Sequence, residues 1–514
     1  MLSSVSEAVY ASEAAVRLLI SILLGNSNFY RDIDFPTSFL DSTIIIELSG
    51  LPIALLHWYV LYGKCPTRQN IFFATTGVLI CLWNYGFNTI HSVAATLVTY
   101  CFLKCCGGTA FSVLITFIFN MAYLLCGYYM TCTDEYDIKW TMPQCVLTLR
   151  LIGLAFNVSD GRKPVEKLSA SQKATALKEP PTLLEVAAFA YFPGSFLVGP
   201  QFSMKRYLDY INGELMVDKT QAVSMIKSPE KDAVEKQVWL IPGVARMFVG
   251  LIYMLFYRLG SLYIPDEYLF SSEYLSQPFL KRLLIVGFWG HINLYKYISC
   301  WLLAEGVCIS FGIAYNGKDK KGQPLWDGCE NVKLIIFETA TQFNDYILSF
   351  NINTNQWSAE YIYKRLKFLG SKLYSQFFTL LFLAVWHGFH SGYYLCFFLE
   401  FIITYAERDF AQILKGNEKL QSLLKNRLEL RIISWIFMKI YLFMFMGYSL
   451  ISFILLSYPR YMHVYSSVYF SGHIIYLSYP FISILIKKFL VKGRPKKVQS
   501  VEKREHSGLR LDID

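Results

Sequence analysis

The residues best suited to chemistry interrupt an apolar run, TLLFLAVWHGFHSGYYLCFFLEF (379–401), in which no charged side chain occurs before Glu400 other than His387 and His390. An ionisable group is costly to place in hydrocarbon, so each one that is kept there is a functional candidate. Imidazole suits general-base work, because its unperturbed pKa near ~6.5 leaves it unprotonated at neutral pH. Three residues apart on a continuous helix, the two histidines share a face. Gly388 and Gly392 leave room for a substrate or a neighbouring helix to come close. A lone buried histidine is more often a satisfied core residue than a catalyst. Two of them, flanked by glycines in apolar surroundings, shift the balance toward function, although periodicity alone leaves both readings open.

A second polar cluster precedes it in SFNINTNQW (349–357), where Asn351, Asn353 and Asn355 lie between an apolar run and a basic stretch. Their amides could donate to a developing oxyanion, or the segment could simply be an interfacial turn, for which Asn and Thr are favoured. Other schemes are missing. No GxSxG elbow occurs. GIAYNGKD (312–319) has the spacing of a phosphate loop, but Asp319 replaces the Ser/Thr and the motif follows an apolar span rather than a strand. Twelve cysteines are scattered, mostly through apolar runs, without CxxC or metal-type Cys/His spacing, so no metal is expected.

The elements that must position these groups are membrane helices. Of the 514 residues 54% are hydrophobic and 17% charged, and mean hydropathy is +0.35. Soluble domains carry roughly 25% charged residues. The 36 Tyr and 10 Trp suit membrane interfaces, since each joins an apolar ring to a polar edge. The formal charge of +10 gathers in loops and in GRPKKVQSVEKR (493–504), which places the C-terminus in the cytoplasm by the positive-inside tendency. No basic face on a soluble domain supports nucleic-acid binding. AAVRLLISILLG (14–25) is short and interrupted by Arg17, so it is a poor cleavable leader.

A span needs about 20 mostly apolar residues. Candidates are 43–62, 71–87, 88–104, 109–131, 239–263, 280–313, 373–405, 432–457 and 464–491, with weaker runs at 144–156, 183–200 and 333–350. The expectation is an all-α polytopic protein with roughly eight to eleven spans. Polar connections at 160–181, 213–237, 315–324, 363–372 and 406–431 are too short to be domains, and no internal repeat is visible. The chain divides into an N-terminal segment (1–50), one membrane domain (51–491) and a basic tail (492–514).

WHGFHSGYY (386–394) resembles the signature segment of the membrane-bound O-acyltransferase family. The likeness extends in order to GPQFS (199–203), Trp326-Asp327 and YSSVYFSGH (465–473), which resemble the lysophospholipid-acylating branch. YDIKWTMPQCVLTLRLIGLA (136–155), EGVCI (305–309) and FNINTNQWSAEYIYKRLKFLG (350–370) are similar to members of that branch that act on lysophosphatidylcholine. The match runs from about residue 51 to 490, and 32–50 looks like extra sequence. It implies about eleven transmembrane helices around a central chamber, open to acyl-CoA and to lysolipid.

The resemblance assigns catalysis to His387 and Asn351. It makes Trp386, Gly388, His390, Tyr393, Trp326, Asp327, Gln201, Tyr469 and His473 candidates for substrate contact. The implied substrates are acyl-CoA, preferably polyunsaturated, and lysophosphatidylcholine or other lysophospholipids. No cofactor is expected beyond acyl-CoA as co-substrate, an oligomer is left open, and the implied location is the endoplasmic-reticulum membrane. RLDID lacks the terminal dilysine that some relatives use for retrieval there. A member acting on a sterol or protein alcohol is the alternative within the family. A transporter is the alternative outside it, although no inverted repeat is visible.

Overall fold

The computed structural model describes residues 39–131, 139–215, 239–417, 421–423 and 426–490. The leader-like stretch 14–25, the basic tail 492–514 and all but the first residues of the 213–237 loop lie outside them, as does the N-terminal segment before Phe39. The described chain is helical and contains no sheet, only isolated antiparallel bridges such as Val332–Phe350.

Among the described residues, five helical stretches are long and apolar enough to cross a bilayer: Pro66–Cys106, Ala110–Thr131, Thr141–Gly161, Leu240–Phe270 and Leu428–Leu455. A sixth is added if Tyr458–Ser467 and Ser471–Lys488, bent by 78°, form one span. The protein is therefore a multi-pass, all-helical membrane protein. Fewer helices qualify alone than the eleven or so expected, for two reasons. The long apolar run 280–313 is one 33-residue helix that carries the buried polar side chains of Arg282, Asn293 and Glu305. The run 373–405 is broken in its middle.

In chain order the helices that build the site are α1 (Pro66–Tyr85), α2 (Thr89–Cys106), α3 (Ala110–Thr131), α4 (Thr141–Gly161), α5 (Leu183–Ala190), α6 (Leu240–Tyr263) and α7 (Phe279–Phe311). They are followed by α8 (Leu334–Thr339), α9 (Phe343–Ser349), α10 (Ile352–Ser358), α11 (Lys372–His387), α12 (Ser391–Lys415) and α13 (Leu428–Leu455). Helices α6 and α7 pack closely, as do α7 and α13. A Cβ at Gly290 would come 2.4 Å from the Cα of Gly447. Small residues of this kind let membrane helices approach backbone to backbone.

Helix α4 covers the weak run 144–156 and is a central strut, with 83% of its apolar window buried. Its sequence reads as a poor span because Gln144, Thr148, Arg150, Asn157 and Asp160 face protein rather than lipid. Three other elements hang from it. Trp386 Nε1 donates to the Cys145 carbonyl, Trp357 Nε1 to the Leu149 carbonyl, and the Tyr361 hydroxyl to Asn157. By contrast Trp83, Phe87, Ile118 and Met130 are exposed on α1 to α3 and their junctions, as lipid-facing side chains are.

Candidate active site

His387 is the last residue of α11, and His390 is the N-cap of α12. The two do not share a helix face as the spacing suggested, because Gly388 ends α11 at φ 123°, ψ −161°. That backbone conformation is essentially restricted to glycine. The break turns both histidines toward one cavity. Irregular backbone inside an apolar run is tolerated where it lines a cavity. The imidazole of His387 sits among rings, with centroids of Trp386, Phe453, Tyr393 and Phe397 at 4.7, 5.1, 5.3 and 5.5 Å. Among the described residues neither of its nitrogens has a hydrogen-bonding partner. His390 packs edge-on to Tyr393.

Asn351 arrives from a different part of the chain. It caps α10 with φ 52°, ψ 43°, a left-handed conformation that asparagine adopts more readily than other side-chain-bearing residues. The three asparagines of this segment divide their tasks. Asn353 Nδ2 donates to the Glu330 carbonyl and to Asn331 Oδ1, while its backbone N–H also binds Asn331 Oδ1. Asn355 Nδ2 donates to the carbonyls of Ile347 and Phe350. These two fix the turn, so the turn reading holds for them. The Asn351 amide is not used in that work and lines the same cavity as His387.

The cavity has a volume of about 210 Å³. Its walls come from the end of α3, the start of α4, the 197–201 segment, α7, the Asn331 and Asn351 turns and the α11–α12 break. The lining is mostly apolar, with a few convergent polar groups, which is the usual make-up of a ligand site. Of the residues expected from the sequence, His387, Asn351, Trp386, Gly388, His390, Tyr393 and Gln201 meet there.

Four do not. Trp326 packs edge-on to Tyr315, and Asp327 accepts from Asn316 Nδ2. The Tyr469 hydroxyl accepts from Arg282, whose guanidinium also lies over its ring. His473 Nδ1 lies 2.5 Å from the Tyr448 hydroxyl, between that ring and Tyr465. Their contacts hold loops and helix ends.

The structure adds residues not singled out in the sequence. Lys296, Tyr297 and Trp301 of α7 line the cavity. Buried Arg150 donates to the carbonyls of Phe189, Ser195 and Pro200 and to Gln201 Oε1, thereby shaping the 197–201 wall. Buried Glu305 holds Arg246 and the Asn331 backbone. Lys296, Arg150 and Glu305 are ionisable residues inside apolar runs, the same signal that marked the histidines.

The polytopic helical fold agrees with what the chain matches. Residues 125–455 match the membrane-bound O-acyltransferase family, and the chain belongs to it. It is 42% identical over 495 residues to lysophospholipid acyltransferase 5 of Homo sapiens, covering 96% of this chain and 93% of that one. Against lysophospholipid acyltransferase 5 of Drosophila melanogaster it is 42% identical over 433 residues, 84% of each chain. Lysophospholipid acyltransferase of Schizosaccharomyces pombe is 32% identical over 356 residues, 67% of this chain and 66% of its own.

Proposed function

We propose that this protein transfers a fatty acyl group from acyl-CoA to the free sn-2 hydroxyl of lysophospholipids, chiefly lysophosphatidylcholine. The observation that carries the reading is the convergence of His387 and Asn351, from separate elements, on one mostly apolar cavity. The acceptor named by the relatives supports the choice of substrate class.

In this reading the neutral imidazole of His387 takes the proton of the acceptor hydroxyl as its oxygen attacks the thioester carbonyl carbon. The carbonyl π electrons move onto oxygen, where the Asn351 amide N–H donates to the developing charge. The intermediate collapses with cleavage of the C–S bond. The CoA thiolate leaves and recovers the proton from the imidazolium, giving CoA and the diacyl product. No acyl-enzyme forms. General-base assistance of this kind contributes about 10²–10⁴-fold, and holding two lipid-like reactants in one cavity supplies much of the rest. The donor is acyl-CoA, with polyunsaturated chains preferred. The membrane domain spans 51–491, and the protein resides in the endoplasmic-reticulum membrane with its C-terminal tail cytoplasmic.

The test is acyl transfer from labelled acyl-CoA to lysophosphatidylcholine in membranes expressing the wild-type chain or His387→Ala. Product formation that depends on His387 is expected. Equal turnover by a folded His387→Ala protein would reject the assignment.

A further inference from the structure

A second cavity lies against the first, and the two share Lys296 and Tyr297. Its character is opposite, because polar groups dominate its walls: Asp266, Glu267, Asn293 and Lys296, with the rings of Tyr257 and Tyr297. Asn293 is 7% exposed. Its Nδ2 donates to the Trp289 carbonyl, and its side-chain oxygen has no partner among the described residues. Asp266 is held in place by Trp289 Nε1, which donates to Oδ1 at 2.8 Å. Asp266 also lies within electrostatic reach of Lys296, and Glu267 is exposed at the rim.

The order of these groups is informative. Moving outward from the reaction cavity, a ligand meets first a cation, Lys296, and then two carboxylates. A glycerophospholipid whose head group ends in an ammonium has the complementary order, with hydroxyl, phosphate and cation following one another along one short chain. CoA carries several phosphates and no cation, so the two carboxylates would repel it. Tyrosine faces beside carboxylates also suit a quaternary ammonium.

We infer that this second cavity is the head-group site for the acceptor, taking a zwitterionic lysophospholipid with its phosphate at Lys296, whose ammonium lies over the Tyr297 ring, and its own ammonium between Asp266, Glu267 and the Tyr257 ring. The site thereby holds the glycerol sn-2 hydroxyl in the adjoining reaction cavity. The inference rests on the acyl-transfer reading and adds to it the basis for choosing among acceptors.

The experiment compares acceptors in membranes carrying the wild-type chain or the double variant Asp266→Asn/Glu267→Gln, with lysophosphatidylcholine and with lysophosphatidic acid, which has the phosphate but no cation. The double variant is expected to lose about tenfold in kcat/KM for lysophosphatidylcholine relative to lysophosphatidic acid, as one charge pairing is lost. The KM for acyl-CoA should not move. Lys296→Gln should raise the KM of both acceptors. An unchanged acceptor ratio in the double variant, or an equal loss with both acceptors, would overturn the proposal. A wild-type chain that releases no CoA with any lysophospholipid would overturn the acyl-transfer reading itself, and the head-group site with it.

Discussion

One oxygen of Glu305, deep in α7, accepts hydrogen bonds from the backbone N–H groups of Asn331 and Val332 at 2.8 and 3.0 Å. Its other oxygen pairs with Arg246 of α6, whose guanidinium in turn donates to the Val332 carbonyl. The Asn331 to Val332 stretch then bridges Phe350 and accepts the Ile352 N–H, so the carboxylate sets the position of Asn351 through two short backbone segments. Removing it takes from Arg246 its nearest carboxylate, leaving only Glu330 at 3.7 Å, and orphans two N–H groups in the interior. Glu305→Ala should therefore cost about 3–5 kcal/mol, as broken buried pairs do. Glu305→Gln keeps an acceptor for the N–H groups and should lose less. Thermal unfolding of the detergent-solubilised variants measures both, and equal stability of Glu305→Ala and wild type would show that the turn is held in another way.

The break at Gly388 gives the two histidines different surroundings. Only His387 lies inside the ring cluster without a protein partner for its nitrogens among the described residues. His387→Ala should lower kcat by about 10²–10⁴-fold, the usual contribution of a general base. His390→Ala should be milder, with its effect mainly in KM. Initial rates across acceptor concentration separate the two, and a greater loss at His390 would reverse the roles.

For Asn351, backbone and side chain can be tested apart. Asn351→Gly accepts the left-handed conformation but has no amide, so stability should be kept and turnover lost. Asn351→Ala loses the amide and adds strain of about 1–2 kcal/mol. Asn353→Ala removes donors to Glu330 and Asn331, which should lower stability by about 1–3 kcal/mol, with turnover less affected than at Asn351. Parallel measurement of melting temperature and kcat decides the matter, and full activity in a stable Asn351→Gly protein would remove the amide from the mechanism.

The helical membrane class was legible because it rests on composition and run length, which need no tertiary information. The pair His387 and His390 and the cluster Asn351, Asn353 and Asn355 stood out as polar groups beside or within apolar runs, while the choice of His387 and Asn351 among them came from the family resemblance. The relation between His387 and His390 was not legible, because a 3.6-residue period assumes a continuous helix and Gly388 can end one without a proline to announce it. Helix α4 read as weak because hydropathy cannot tell a polar residue facing lipid from one facing protein, and Arg150 is the second kind. Trp326, Asp327, Tyr469 and His473 lie away from the cavity that holds His387. Motif residues can be held for packing and loop geometry at a distance from the cavity, and spacing carries no sign of which it is.

Gly388 offers the most direct test of the break itself. Its φ of 123° with ψ of −161° is inaccessible to a residue with a Cβ at an ordinary cost, and the strain imposed by alanine should be about 1–3 kcal/mol. The nearest atoms to such a Cβ belong to Tyr128 at 3.5 Å, which is ordinary contact, so the penalty is one of backbone rather than crowding. The chain can escape the strain by turning the 388–390 segment, which swings His387 relative to His390 and Asn351. Gly388→Ala should therefore lose activity by more than its modest loss of stability explains, with a fall in kcat at nearly unchanged melting temperature. Wild-type kcat in Gly388→Ala would mean that the orientation of His387 does not depend on this turn.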